Sequence, residues 1–297
     1  MGVAPDKLEI LDVLWAVDGD GDRVPVLKAD AVGRLRASDQ PRAARLVEAL
    51  PDSGGVLDAA AIDSVFLAVH LELARLSEFV HVPHVMAHAL RPIITTLRES
   101  ALGPIHVVDL GCGIGYATRV LAATGALGDD VTYMGLDFNH LLIDAAQRLA
   151  AAEEIPVTFR VGDALDPSLW MADPDRTIVV SSAVLHHLGR ANLTPFFAQT
   201  ARSQVSAFAH FDVDPGLWAM VGGWVLHRTR MTEPISRHDG GMSMRRALPA
   251  LVLLEHAAAG TAAAYHLRCD SVTNLYPRPE HIVRPIMGLR TDLGALS

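Results

Sequence analysis

Val107-Val108-Asp109-Leu110-Gly111-Cys112-Gly113-Ile114-Gly115 is the stretch whose reading decides the fold. An apolar run ends in an acid, then in three glycines at alternate positions, and a helix-like segment follows over residues 116–124. A strand, a glycine turn and a helix N-terminus in that order form a cradle for an adenosine cofactor. Glycine permits tight turns and lets a ligand approach the backbone, and a helix N-terminus offers free N–H groups. A dinucleotide fingerprint would read G-x-G-x-x-G, with its third glycine at the helix–strand contact. Here the pattern is D-x-G-x-G-x-G.

Residues 108–115 resemble motif I of the class I S-adenosylmethionine (SAM)-dependent methyltransferases of the small-molecule type. In that family the loop wraps the methionine part of SAM, which implies cofactor contact by Gly111, Gly113 and Gly115. Asp109 then orients the loop or meets the cofactor's ammonium. The resemblance covers roughly residues 85 to 290 and does not touch the N-terminal helices.

From residue 104 onward the chain alternates strand and helix. Strands are expected at residues 105–109, 132–137, 157–161, 177–181 and 207–212, and helices at 116–124, 141–152, 193–205 and 247–259. This alternation predicts a parallel sheet with helices on both faces. Two tail strands, at 264–268 and 280–284, the last antiparallel, would complete a seven-stranded, mostly parallel α/β sheet. Residues 1–95 read as a helical N-terminal lobe, serving as lid or dimer contact, and residues 96–297 as the SAM-binding domain. Helices are expected over 29–36, 40–50 and 59–79, with a break at 51–55 and punctuation at Pro83 and Pro92. Asp18 to Asp22 fails as a calcium loop, because Arg23 and Ala29 stand where Gly and Glu are needed.

Ligands of open α/β sheets bind beyond the carboxyl ends of the strands. Asp137, followed by Phe138, ends the second expected strand, where an acid can accept from both ribose hydroxyls. Asp163, followed by Ala164, ends the third. The resemblance gives Asp163 the adenine amino group and the neighbouring backbone N–H a ring nitrogen. Asp163 could instead cap a helix beginning near Pro167. Ser181 lies after the fourth strand, also at the cofactor, where metal-dependent catechol-type relatives carry an acid. The phrase Val184-Leu185-His186-His187-Leu188 looks like the corresponding segment of many small-molecule methyltransferases. No Asp/Asn-Pro-Pro-aromatic motif for nucleobase amines occurs there. Asp212 and Asp214 do not complete a metal site alone, so a metal-independent reaction is expected. His186 and His187 are the candidate bases, since histidine takes a proton at neutral pH; packing at a helix start is the alternative.

The segment from Trp224 to Arg246 is basic within a chain of formal net charge −9. Arg228, Arg230 and Arg237 are candidates to hold an anionic, carboxylate-bearing substrate, since arginine binds carboxylates bidentately. A solvated face or a dimer contact would account for them equally. His81, His84 and His88 share a helical face broken by Pro83. His84 reads better as a wall of the substrate pocket than as a metal ligand.

The acidic balance argues against broad binding to nucleic-acid phosphates. Two cysteines make no disulfide framework and suit a reducing cytoplasm. Charges at Asp6, Lys7, Glu9 and Asp12 interrupt any secretory leader, and the apolar run at 247–254 is too short to span a bilayer. The expectation is a cytoplasmic SAM-dependent methyltransferase of a small metabolite, able to form a homodimer. A SAM-using cyclase or lyase releasing methylthioadenosine, and a non-catalytic SAM-binding protein, stand as alternatives. An oxidoreductase is disfavoured by the glycine spacing.

Overall fold

The structure, a computed structural model, describes residues 8–19, 21–100, 103–171, 173–213, 215–269 and 283–295, without the side chains of 217–219. Asp214 and the expected strand start at 280–282 lie outside the described residues. The chain divides into two compact units, Met1–Leu76 with Met220–Arg246, and Ser77–Ala219 with Ala247–Ser297.

The first unit is mostly helical. It holds α1 (Leu11–Leu14), α2 (Lys28–Ala37), α3 (Pro41–Glu48), the hairpin β1 (Asp52–Ser53) and β2 (Val56–Leu57), and α4 (Ala59–Phe79). The hairpin turns on Gly54 and Gly55, both at positive φ, the conformation a tight two-residue turn needs. The sequence shows this run only as a break at 51–55. Asp18 to Asp22 closes a local turn, the Asp22 N–H donating to Asp18 Oδ1 at 3.0 Å.

The second unit is built on a seven-stranded sheet of order β5-β4-β3-β6-β7-β9-β8. Its strands are β3 (Ile105–Leu110), β4 (Val131–Asp137), β5 (Thr158–Val161), β6 (Thr177–Ser182), β7 (Ala207–Val213), β8 (Tyr265–Cys269) and β9 (Val283–Arg290). Among the described strands β9 alone is reversed relative to the rest. The central strands β3, β6 and β7 are buried almost throughout, as parallel strands covered on both faces must be. Val108, Leu110, Val179, Phe197 and Phe208 form part of that core. The helices of this unit are α5 (Val82–Ser100), α6 (Tyr116–Thr124), α7 (His140–Ala152), α8 (Leu185–Arg202) and α11 (Ala250–Thr261). Gly125 ends α6 in the left-handed conformation, a common helix stop. Asn139 opens α7 by accepting from the Leu141 and Leu142 N–H groups.

Three features depart from the sequence expectation. First, α5 is one helix and belongs with the sheet, so the expected lobe boundary at residue 95 does not hold. Pro83 sits in its first turn, where an N–H is not needed, and Met86, Leu90, Ile93, Ile94 and Leu97 are buried along one face that packs toward β7, β9 and α6. That burial outweighs the lost hydrogen bond at Pro92. Second, the segment rich in arginine folds as two helices, α9 (Leu217–Arg230) and α10 (Pro234–Arg246), and from Met220 it joins the helical unit. Third, α8 starts at Leu185 rather than near 193 and breaks at Gly189 (φ 68°), so His186 and His187 lie on its first turn.

Candidate functional site

The glycine loop leaves β3 with Gly111, Gly113 and Gly115 all left-handed, at φ 70°, 56° and 69°. Space is as restrictive as conformation. A Cβ on Gly111 would lie 2.7 Å from Val184 Cγ2, and one on Gly115 would lie 2.3 Å from the Phe159 ring. The Gly111 and Cys112 N–H groups both donate to the Leu136 carbonyl, at 2.7 and 3.0 Å. Cys112 packs toward Gly135, whose Cβ would lie 2.8 Å from the sulfur. Burial pushes that thiol well above its usual range, which suits packing rather than nucleophilic chemistry.

Asp137 anchors the loop from the end of β4. Its Oδ2 accepts the Gly113 N–H and its Oδ1 the Asn139 N–H, both at 2.9 Å. Asp109 is buried beneath the same loop. Its Oδ2 accepts the Thr118 hydroxyl at 2.6 Å, while Oδ1 is buried with no hydrogen-bond partner among the described residues. Burial raises the Asp109 pKa to about 7, opposed by the Thr118 bond and aided by the charge of Asp137. A buried carboxylate oxygen left unmatched is costly, and a cation arriving beside it would satisfy it.

Beyond β4 and β5 the surface turns apolar. Phe138, Val161 and Leu165 stand exposed, Phe138 at 57%. Asp163 is exposed and accepts the Leu165 N–H at 2.8 Å, with Ala164 between them half-buried. The helix at Pro167 is a short 3₁₀ turn capped by Asp166, not Asp163.

On the other side of β3, Ser181 is fully buried and its hydroxyl lies 2.9 Å from His210 Nδ1. Burial drives the His210 pKa down to about 3 against the pull of Asp212, so this imidazole is neutral. His186 is buried, with Nδ1 2.7 Å from Asp212 Oδ1 and its backbone N–H donating to Asp212 Oδ2 at 2.9 Å. Burial alone would raise the Asp212 pKa. The His186 charge and hydrogen bonds outweigh it and hold Asp212 below the usual carboxylate range. His187 is exposed, its ring centroid 4.3 Å from that of His186. Between β6 and α8, Ala183 takes a left-handed φ of 58°.

Residues 107–204 match the family described as the methyltransferase domain. The chain is similar to trans-aconitate 2-methyltransferase of Mycolicibacterium gilvum (strain PYR-GCK), 36% identical over 102 residues. That match takes in 33% of this chain and 34% of the relative, so it spans about a third of the curated protein's length. Among solved structures, the plantazolicin methyltransferase BamL, in complex with a triazolic desmethylPZN analog and SAH, superposes with a TM-score of 0.55 at 10% identity. The superposition covers 77% of this chain and 96% of that one. BpumL in complex with SAH gives 0.54 at 9% identity, over 77% and 95%. At such identity the likeness is one of fold. The chain has the class I methyltransferase fold, and residues 107–204 match the methyltransferase-domain family.

Within the sheet unit the structure brings Asp109, the three glycines and Asp137 together around one loop. It sets Phe138, Asp163 and Ala164 beyond the adjoining strand ends. Ser181 spends its hydroxyl on His210, inside the sheet. His84 is exposed on α5, and its ring centroid lies 5.9 Å from that of His81, which precedes the helix at φ 57°. In the helical unit, Arg228 and Arg230 are exposed on α9, the Arg228 guanidinium 6.0 Å from the Trp224 ring centre. Arg237 uses its Nε to donate to the Met231 carbonyl at 2.7 Å. The sequence reading missed the Asp212 partnership with His186. The sequence offers Asp212 only as a metal ligand, although it lies one residue from the end of β7.

Proposed function

We propose that the protein is a SAM-dependent methyltransferase acting on a small, carboxylate-bearing acceptor. The observation that carries this reading is Asp109, a buried carboxylate with an unmatched oxygen directly below a loop of three left-handed glycines. That donor set fits an amino-acid cofactor. In this reading Asp109 receives the ammonium, the loop backbone lies along the methionine chain, and Asp137 takes the ribose hydroxyls. Phe138 covers a face of the adenine, and Asp163 with the Ala164 N–H reads its edge.

When bound, SAM supplies an electrophilic methyl carbon, whose bond to sulfur breaks with the electron pair left on sulfur as the bond to the acceptor forms. The protein's own contribution is to hold the acceptor in line and close to that carbon, which supplies much of the rate. His186, with His187 beside it, is the group assigned to take the acceptor's proton.

Two facts support a carboxylate acceptor. The relative named above is a trans-aconitate 2-methyltransferase, and the exposed guanidinium groups of Arg228 and Arg230 suit an anion. We assign Arg228, Arg230 and Arg237 to that recognition, with His84 as a pocket wall. We further read the protein as a cytoplasmic homodimer. The thiols of Cys112 and Cys269, which form no disulfide with each other, suit a reducing compartment, and Leu71 and Leu73 stand exposed on α4.

Calorimetric titration with SAM tests the cofactor site. Wild-type protein binds, and Asp137→Ala loses at least about 100-fold in affinity, since charge-assisted hydrogen bonds contribute about 1.5–3 kcal/mol each. Incubation with SAM and trans-aconitate, followed by product analysis, then tests the chemistry. S-adenosylhomocysteine with a methylated acid supports the proposal, whereas methylthioadenosine would make the protein a SAM-using cyclase or lyase. Wild-type protein that is free of co-purified nucleotide and still binds no SAM would sink the reading.

A further inference from the structure

Asp212 lies one residue from the end of β7, and its carboxylate meets His186 at two points. Oδ2 accepts the His186 backbone N–H at 2.9 Å, and Oδ1 lies 2.7 Å from the ring Nδ1. Oδ1 also accepts the Val213 N–H at 2.7 Å. Both side chains are almost wholly shielded, 2% and 5% exposed. An ionised carboxylate is acceptor-only, so a ring nitrogen at this distance must be the donor. The proton therefore sits on Nδ1, and whenever the ring is neutral its lone pair is on Nε2. Holding main chain and ring from one carboxylate fixes both the position and the tautomer of the histidine. His210, two residues earlier in β7, is neutral and bonded to Ser181. His187 lies against the His186 ring.

We propose that Asp212 is the positioning residue of the methyl-transfer site, holding His186 with its proton on Nδ1 and Nε2 as the basic nitrogen. This rests on the reading of His186 as the base. As the acceptor atom bonds to the methyl carbon, its proton passes to Nε2 and the Asp212 carboxylate stabilises the imidazolium. The proton then leaves to solvent. The closest parallel in general chemistry is the carboxylate that orients a catalytic imidazole in hydrolytic triads, where an Asp-to-Asn change selects the wrong tautomer.

Nitrogen-15 spectra of the histidine rings in the full-length protein test this without any acceptor. The signals of His186 are assigned by their disappearance in His186→Gln. Wild-type protein shows His186 protonated on Nδ1. Asp212→Asn moves the proton to Nε2, while Asp212→Glu keeps the wild-type tautomer. With the acceptor turned over in the assay above, Asp212→Asn lowers kcat by roughly 10²–10⁴-fold with SAM affinity unchanged, the range general-base catalysis supplies. A wild-type His186 protonated on Nε2, or the same tautomer in Asp212→Asn, overturns the proposal. A merely structural role would lower thermal stability and leave the tautomer where it was. If the Asn variant fails to fold, the wild-type tautomer decides alone. Full turnover in His186→Gln beside a shifted tautomer in Asp212→Asn refutes the base reading and the catalytic part of the proposal, while the pairing itself stands.

Discussion

The two halves of the sheet end in different chemistry. On the side of β3 to β5, polar side chains mostly reach the backbone, apart from the Thr118 hydroxyl on Asp109. Asp137 takes the Gly113 and Asn139 N–H groups, Asp163 the Leu165 N–H, and Asn139 the first N–H groups of α7. On the side of β6 and β7, side chains also reach one another, Ser181 with His210 and His186 with Asp212, beside the His186 and Val213 N–H groups that Asp212 takes. Backbone donors are supplied by any loop or helix start, so the first arrangement needs only an acid at a strand end and a glycine turn. The second needs two particular side chains brought level by strand register, and Ser181 and His210 are indeed paired across β6 and β7. The first half can build a rigid cradle, and the second can hold a group that gains and loses a proton.

The largest effect should come from breaking the cradle. Gly115 is left-handed, and a Cβ there would lie 2.3 Å from Phe159 Cε1 and Cζ. Gly115→Val combines a left-handed β-branched residue with overpacking, which together cost roughly 3–5 kcal/mol. Urea unfolding reads this as a fall in midpoint at constant slope. An unchanged midpoint would mean that the loop conformation is not coupled to the fold, and the contrast between the halves would weaken.

That contrast also explains what could be read from the sequence. The glycine loop, the strand-end acids and α6 are local patterns, and the structure places them where those patterns say. The pair of Asp212 and His186 was out of reach because nothing in either segment announces the other. α9 and α10 were hidden by Gly222-Gly223 and Gly240-Gly241, which look like helix breakers. Packing explains two of those glycines: a Cβ on Gly223 would lie 2.9 Å from Met244 Sδ, and one on Gly240 2.0 Å from the His227 ring. The same limit hid the composition of the helical unit. No periodicity in residues 1–76 shows that Asp239 of α10 accepts the Ile10 and Leu11 N–H groups at the start of α1, at 2.7 and 3.0 Å.

A middle-sized effect should separate the cradle's two acids by pH. Asp109 has its pKa raised by burial to about 7, against an ordinary 3.8. Below that pH it is neutral and offers an ammonium no charge; above it the carboxylate is formed. Affinity for S-adenosylhomocysteine therefore rises with pH through about 7 and then levels, by roughly tenfold between about pH 6 and 8. For folding the sign is opposite. The folded chain binds more protons than the unfolded one between the two pKa values, so this group's contribution to stability falls as pH rises from about 4 to about 7. Asp109→Asn should flatten both dependences, and measuring it beside the wild type cancels the ligand's own titration. A steep rise surviving in Asp109→Asn would assign the proton to another group.

The smallest effect sharpens the comparison most. Where the cradle uses glycine for its left-handed positions, the turn after β6 uses Ala183, exposed and at φ 58°. A left-handed conformation costs an alanine about 1–2 kcal/mol relative to glycine, while glycine adds unfolded-chain entropy worth about 0.4–1 kcal/mol. Ala183→Gly should therefore stabilise the fold by roughly 0.5 kcal/mol in urea unfolding. The Ala183 N–H donates to the Phe211 carbonyl at 2.7 Å, next to Asp212, so the strained residue ties the turn before His186 to the strand that carries its partner. A loosened turn would show as a broader His186 ring signal in Ala183→Gly. Loss of stability on that substitution would show that the alanine is not strained and that its methyl group supports the turn. The two halves would then differ in their partners but not in how they hold their backbone.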